Sequence, residues 1–229
     1  MLVWVASYPR SGNSFFRIAL HRLYGHRSVR EQTRSVEPTG GGLACDLWTT
    51  LTDPELAADD GLYFVKTHEM PRESSCPAIY LVRDGRDSLV SYAWFSLSRH
   101  QGLRPEEVTP EFYRQALHGV IHDTQGAYGG WSNNVLAWSG RPNTCVLKFE
   151  ELIAAPKRCV TRAMESLALP GAALGELVPS FAELQAARPH HYRRGAVGSW
   201  RDEFPVDLLD EFWRLHGAGM EVAGYAAAG

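Results

Sequence analysis

Apolar and polar runs alternate along the chain in a way that predicts strands and helices in turn. Residues 2–6 form an unbroken apolar run, LVWVA, as expected for a strand buried on both faces of a parallel sheet. Ser7-Tyr8-Pro9-Arg10-Ser11-Gly12-Asn13 follows, with Pro and Gly breaking the strand. From Ser14 the spacing becomes helical: Phe15, Ile18, Ala19 and Arg22 fall at i, i+3, i+4 and i+7, with Leu23 beside them. The runs 62–65 (LYFV) and 78–82 (AIYLV) read as two further strands, and 156–167 as an amphipathic helix. Residues 25–61 read as loop, with Asp53-Pro54-Glu55 able to start a short helix. Residues 207–215 read as a closing helix, and 217–229 as a tail of mostly small residues. Strands alternating with helices predict an α/β fold built on an open parallel sheet.

Strand, glycine-bearing turn and helix start together make an anion site. Backbone N–H groups and the positive end of the helix dipole point at one spot. Arg10, Ser11, Asn13 and Ser14 add side-chain donors, so a nucleotide's 5′ phosphate is expected there. An ordinary first strand–helix unit of an open sheet has the same outline, and the turn lacks the Walker pattern G-x-x-x-x-G-K-[ST].

The next two strands also end in chemistry, and ligands of open α/β sheets bind at the carboxyl ends of strands. Lys66 and His68, two apart, follow the strand 62–65 and can point the same way in extended chain. The His can take a proton from an attacking hydroxyl while the Lys neutralises developing negative charge. A hydrogen-bonded structural His is the competing reading. Arg83 closes the strand 78–82, and Ser91 lies eight residues on, inside the next helix. Such a pair can grip one phosphate from two sides; a solvated charged loop is the alternative. Asp84 and Asp87 suit turn and N-cap positions.

Composition narrows the rest. At 229 residues with 45% hydrophobic and 21% charged residues, one globular domain spanning 1–229 is expected. A formal charge of −3 leaves no basic field for nucleic acid or an anionic membrane, so any anion must be held by local donors. Cys45, Cys76, Cys145 and Cys159 have no C-x-x-C or metal-ligand spacing and read as reduced packing residues. The apolar start is too short for a membrane span and no signal peptide is visible, which predicts a cytoplasmic protein.

Three motifs in order, SYPRSGNSFFR, VKTHEMP and YLVRDGRDSLVSY, resemble the sulfotransferases that use 3′-phosphoadenosine 5′-phosphosulfate (PAPS). That family has a phosphosulfate loop of the form YPKSGTTW, a KTH segment with a catalytic His, and an Arg and Ser eight apart for the 3′ phosphate. Further along, residues 128–138 look like its helix before the next strand. The segment 144–152 is similar to its strand ending in Tyr/Phe-Glu-Asp/Glu. Ser180-Phe181 falls where it places a nucleotide-contacting pair. Residues 192–201, YRRGAVGSWR, resemble its RKGxxGDW loop, in which Gly195 and Gly198 admit close backbone and Arg193 and Arg194 form a fork. The resemblance implies the sulfotransferase fold, a P-loop-like open parallel β-sheet flanked by helices. Departures are Arg10 for the loop Lys, Phe15 for the adenine-stacking Trp, and Phe149 for a frequent Tyr.

What the resemblance implies chemically is transfer of the PAPS sulfuryl group to a hydroxyl of a small-molecule or natural-product acceptor, leaving 3′,5′-ADP (PAP). His68, Lys66 and Arg10 would be catalytic. Arg10, Ser11, Gly12, Asn13, Ser14, Phe15, Arg83, Ser91, Phe149, Ser180, Phe181, Arg193, Arg194 and Gly195 would bind the nucleotide. No metal is expected, and no metal-ligand cluster is visible in the sequence. A kinase or other phosphotransferase on the same sheet and a non-catalytic nucleotide-binding module are the alternatives. Tyr92, Trp94, Phe95, Tyr128 and Trp131 could line an acceptor site or belong to the core. Trp48 is expected to pack rather than line the pocket. Partners expected are the acceptor alone, with neither nucleic acid nor membrane; a homodimer is allowed by the sequence.

Overall fold

The computed structural model describes residues 1–30, 45–47, 52–175, 177–187 and 195–225. The unbroken apolar runs become the middle of a parallel sheet: β1 (Leu2–Ser7) and β5 (Ala78–Val82) are buried along their whole length. Every pairing is parallel, in the order β3-β2-β4-β1-β5-β6, with β2 (Ser28–Arg30), β3 (Asp46–Leu47), β4 (Tyr63–Thr67) and β6 (Thr144–Lys148). Alternate side chains of β1 feed two cores. Val3 and Val5 join Phe64, Ile79 and Leu81 against helices α1 (Asn13–Tyr24) and α7 (Pro156–Ser166). Trp4 and Ala6 join Val65, Tyr80 and Val82 against α3 (Gly85–His100), α5 (Trp131–Ser139) and α9 (Leu209–Val222). Helices thus cover both faces, as a parallel sheet requires.

Several expectations are corrected. Within residues 25–61, read as loop, lie the two short edge strands β2 and β3 and the helix α2 (Asp53–Ala58). The edge is fastened by a buried ion pair of Arg17 on α1 with Asp46 on β3, two charges the hydrophobic pattern could not pair. Of the helical stripe expected on α1, Phe15, Ala19 and Leu23 are buried, and two of its five members are not. Phe16, Ala19, Leu20 and Leu23 pack, Ile18 is half-buried and Arg22 is exposed. β4 runs two residues further than expected, because Lys66 and Thr67 keep their ladder to Val5 and Ala6. The closing helix passes through Gly217 and Gly219; a Cβ on Gly219 would lie 2.8 Å from the Ser132 backbone, so close contact with α5 requires the small residue. The sequence predicts neither α4 (Pro110–His122), capped by Thr109, nor α8 (Phe181–Ala187), nor that 149–154, expected to end a strand, is helical.

The remaining helix, α6 (Phe149–Ala154), follows β6 directly. β1 lies between β4 and β5, so the chain leaves it toward one edge and later returns on its other side. The carboxyl ends of β4, β1 and β5 therefore stand side by side, where open sheets bind ligands. All three sequence motifs begin there.

Candidate active site

The turn after β1 is shaped by one close approach. Gly12 has φ +94°, and a Cβ there would come within 2.6 Å of Phe149 Cδ2. Only glycine meets both conditions without strain. Gly12 is also the N-cap of α1; no side chain caps the helix and its first turn holds no acidic residue. The helix start is thus left to an anion rather than to the protein's own carboxylates. Asn13 Nδ2 donates to the Val5 carbonyl at 2.9 Å, tying the helix start back to the strand. Ser11 Oγ lies 3.3 Å from Ser88 Oγ on α3. Arg10 has φ +69°, a left-handed conformation rare for a side chain of its size.

His68 leaves β4 opposite Ser7, and the parallel register sets their contact. Its Nδ1 lies 2.8 Å from the Ser7 carbonyl oxygen and 3.2 Å from Ser7 Oγ. A carbonyl only accepts, so Nδ1 carries the proton and Nε2 keeps its lone pair. The backbone around His68 is held by α5, a role the sequence reading did not assign. Asn134 Nδ2 donates to the carbonyls of His68 (3.1 Å) and Tyr128 (3.0 Å), while its Oδ1 accepts from the Tyr80 hydroxyl (3.0 Å). Trp138 Nε1 donates to the Glu69 carbonyl at 2.9 Å. Burial, and then the positive charge of Lys66, hold the His68 pKa well below the usual imidazole value, so the ring is neutral at pH 7.

An aromatic wall stands next to this imidazole. Tyr128 meets His68 edge-on at 5.9 Å between ring centres. Tyr8, Tyr92 and Tyr128 pack mutually at 5.9–6.4 Å, and Phe95 stacks on Tyr92. Burial pushes the Tyr92 phenol up to about 12 and raises Tyr8 and Tyr128 as well, so no phenolate competes as a base. Of the aromatics left open between pocket and core, Tyr92, Phe95 and Tyr128 belong to this wall. Trp131 is fully buried, and Trp94 stacks on Tyr113 while its Nε1 donates to Glu203.

Arg83, at the tip of β5, is 5% exposed. Its guanidinium donates to the Arg10 carbonyl (3.3 Å) and the Ala196 carbonyl (3.0 Å) and lies over the Phe149 ring at 4.5 Å. Arg10 Nε donates to Ser91 Oγ at 3.2 Å. Arg10, Arg83, Ser91 and Phe149 are thus brought together. Asp84 caps α3, accepting from the Arg86 backbone N–H. Asp87, expected at the same cap, does something else. Its carboxylate accepts from the N–H groups of Gly198 (2.7 Å) and Trp200 (2.9 Å) and from Ser199 Oγ (3.2 Å), so it pins the segment 195–200 beside Arg83. Gly195, at positive φ, packs against Phe181, whose ring leaves no room for a Cβ there. Ser180 Oγ donates to Glu183 at 2.7 Å and accepts from its N–H, capping α8. Phe15 is 4% exposed and packs in the α1–α7 core. Arg193, Arg194 and Trp48 lie outside the described residues.

The sulfotransferase domain profile matches residues 2–222. The chain belongs to the sulfotransferase domain family. Mouse sulfotransferase 1E1 is 25% identical over 242 residues, covering 91% of this chain and 79% of the relative. The 3-alpha-hydroxysteroid sulfotransferase of Cavia porcellus is 26% identical, covering 96% and 83%. Mouse sulfotransferase SULT7A1 complexed with PAP superposes with a TM-score of 0.63 at 20% identity, over 98% of this chain and 89% of that one. Retinol dehydratase in complex with androsterone and inactive cofactor PAP gives 0.60 at 17% identity, over 96% and 80%. These two likenesses carry the fold, and the family carries the sulfotransferase activity.

Proposed function

We propose that the chain transfers a sulfuryl group from PAPS to the hydroxyl of a small-molecule acceptor, with His68 as general base. The observation that carries this reading is the meeting of three strand tips: an uncapped helix start after β1, a neutral imidazole with its Nε2 lone pair after β4, and a buried guanidinium after β5. The donors fit a phosphorylated nucleotide. Backbone N–H groups of the 11–14 turn would hold the 5′ phosphate. Arg83 and Ser91 would hold the 3′ phosphate, with Gly195 beside them and Arg193 and Arg194 assigned there by the family resemblance. Phe15, Phe149, Ser180 and Phe181 are proposed for the nucleoside side.

PAPS, when bound, supplies an activated sulfuryl group. The chain's own work is positional and electrostatic. His68 Nε2 takes the acceptor's hydroxyl proton, and the Ser7 carbonyl steadies the imidazolium that results through Nδ1–H. Lys66 and Arg10 offset negative charge that develops in the turn. The relatives named for a hydroxysteroid and complexed with androsterone support an acceptor that is a small hydroxyl compound, here beside Tyr92, Phe95 and Tyr128. No described helix is long and apolar enough to cross a membrane.

The test has two parts. Incubation with PAPS and a panel of hydroxyl acceptors should yield sulfated product and PAP by mass spectrometry. Calorimetry should find PAP binding that weakens about tenfold to a hundredfold in Arg83→Ala, the loss expected for hydrogen bonds to a charged group. Binding of PAP unchanged in Arg83→Ala, or turnover of Mg²⁺-ATP in place of PAPS, would overturn the reading.

A further inference from the structure

Away from the strand tips, two histidines and a carboxylate converge on the seam between α4 and α9. His118 and His122 stand one turn apart near the end of α4, and Glu211 lies in the first turn of α9. Both imidazoles aim Nε2 at the same carboxylate oxygen, at 3.6 Å for His118 and 2.8 Å for His122. Their rings lie 4.3 Å apart between centres, and one ligand atom from each of the three residues falls within 4.8 Å of the others. The expectation that the chain holds no metal-ligand cluster is thereby corrected. The signal was a His-x-x-x-His spacing within residues 118–122, but its third member lies 89 positions beyond His122.

We propose that His118, His122 and Glu211 form a surface site for a divalent transition metal of the zinc class. Four-coordinate zinc takes His nitrogens and carboxylate oxygens at about 2.0–2.2 Å, which puts ligand atoms roughly 3.3–3.6 Å apart. The observed separations bracket that value, so small side-chain rotations close the site. Two imidazoles favour zinc, nickel or copper over magnesium or calcium, which want oxygen donors. The two histidines are exposed and Glu211 is half-buried, so water completes the coordination from outside. The backbone beneath is already fixed. His216 Nε2, on α9, donates to the Ile121 carbonyl at 2.9 Å, and Arg114 pairs with Asp207 one turn away. A metal here would clip α4 to α9 without altering their alignment.

The full chain, freed of any affinity tag, is dialysed against Zn²⁺ and titrated by calorimetry. Wild type should take up zinc at this site and melt at a higher temperature with zinc than without. The double variant His118→Ala/His122→Ala should lose at least about tenfold in affinity and the accompanying rise in Tm, as should Glu211→Gln, which keeps the side chain's shape. Mg²⁺ should produce neither effect. Metal-free melting curves of all three proteins should coincide, which separates lost ligation from lost folding. Absence of zinc uptake by wild type, or equal uptake by wild type and the double variant, would overturn the proposal.

Discussion

The turn at 7–13 and the segment 195–200 meet at Arg83, which donates to a carbonyl of each, yet they are held in different ways. The turn is fastened largely by its own neighbours: Gly12 starts the helix, and Asn13 reaches back to Val5 only eight residues earlier. The segment 195–200 is held by Asp87, whose carboxylate receives an N–H from 111 positions further on. One wall of the pocket is local strand–helix geometry. The other is a segment distant in sequence, tied down by the side chains of Asp87 and Arg83. The teaching is that the two walls should fail differently: the first with the fold, the second with the ligand.

The largest effect separates chemistry from both walls. His68→Ala should lower kcat about 10²-fold or more while largely keeping PAP affinity, since the imidazole meets the turn at Ser7 and supplies none of the proposed phosphate donors. In the wild-type enzyme the base works only when unprotonated, so kcat/KM falls as pH drops through the His68 pKa. Because burial and Lys66 depress that value, the acid limb should lie below the ordinary 6.5, read from kcat/KM against pH, which reports the free enzyme. A limb at or above 6.5 would remove His68 from the role. The second effect strikes the local wall. Gly12→Ala adds a Cβ at positive φ and against Phe149, and should cost about 1–3 kcal/mol of stability by denaturant unfolding. A wild-type midpoint would mean that the turn yields easily. The smallest effect strikes the tethered wall. Asp87→Asn keeps one acceptor oxygen for three donors and should weaken 3′,5′-ADP binding about tenfold. Binding of 5′-AMP, which lacks the 3′ phosphate, should stay as it was. Equal losses for both nucleotides would erase the distinction between the walls.

Much of this architecture was legible because it is written in consecutive residues. β1 and β5 are continuous apolar runs, and His68, Arg83 and the 7–13 turn each follow directly from a strand. The sulfotransferase resemblance came through those local motifs and agrees with the family found by comparison. What stayed hidden is what joins distant segments. Asp87 read as a helix cap because its loop lies far downstream. Asn134 carries no signature, being one of several polar residues in a short helix. The edge strands β2 and β3 are three and two residues long, too short for periodicity, and are fastened by an Arg17–Asp46 pair that no spacing rule anticipates.

Asn134 has a practical corollary. Its one amide is shared by the peptide that carries the imidazole and the peptide that carries Tyr128, a member of the aromatic wall. Remodelling the chain around Tyr128 to admit a bulkier alcohol would tug on the proton acceptor through that shared amide. Selectivity and turnover are mechanically geared here, so a change made for one should be read out in both.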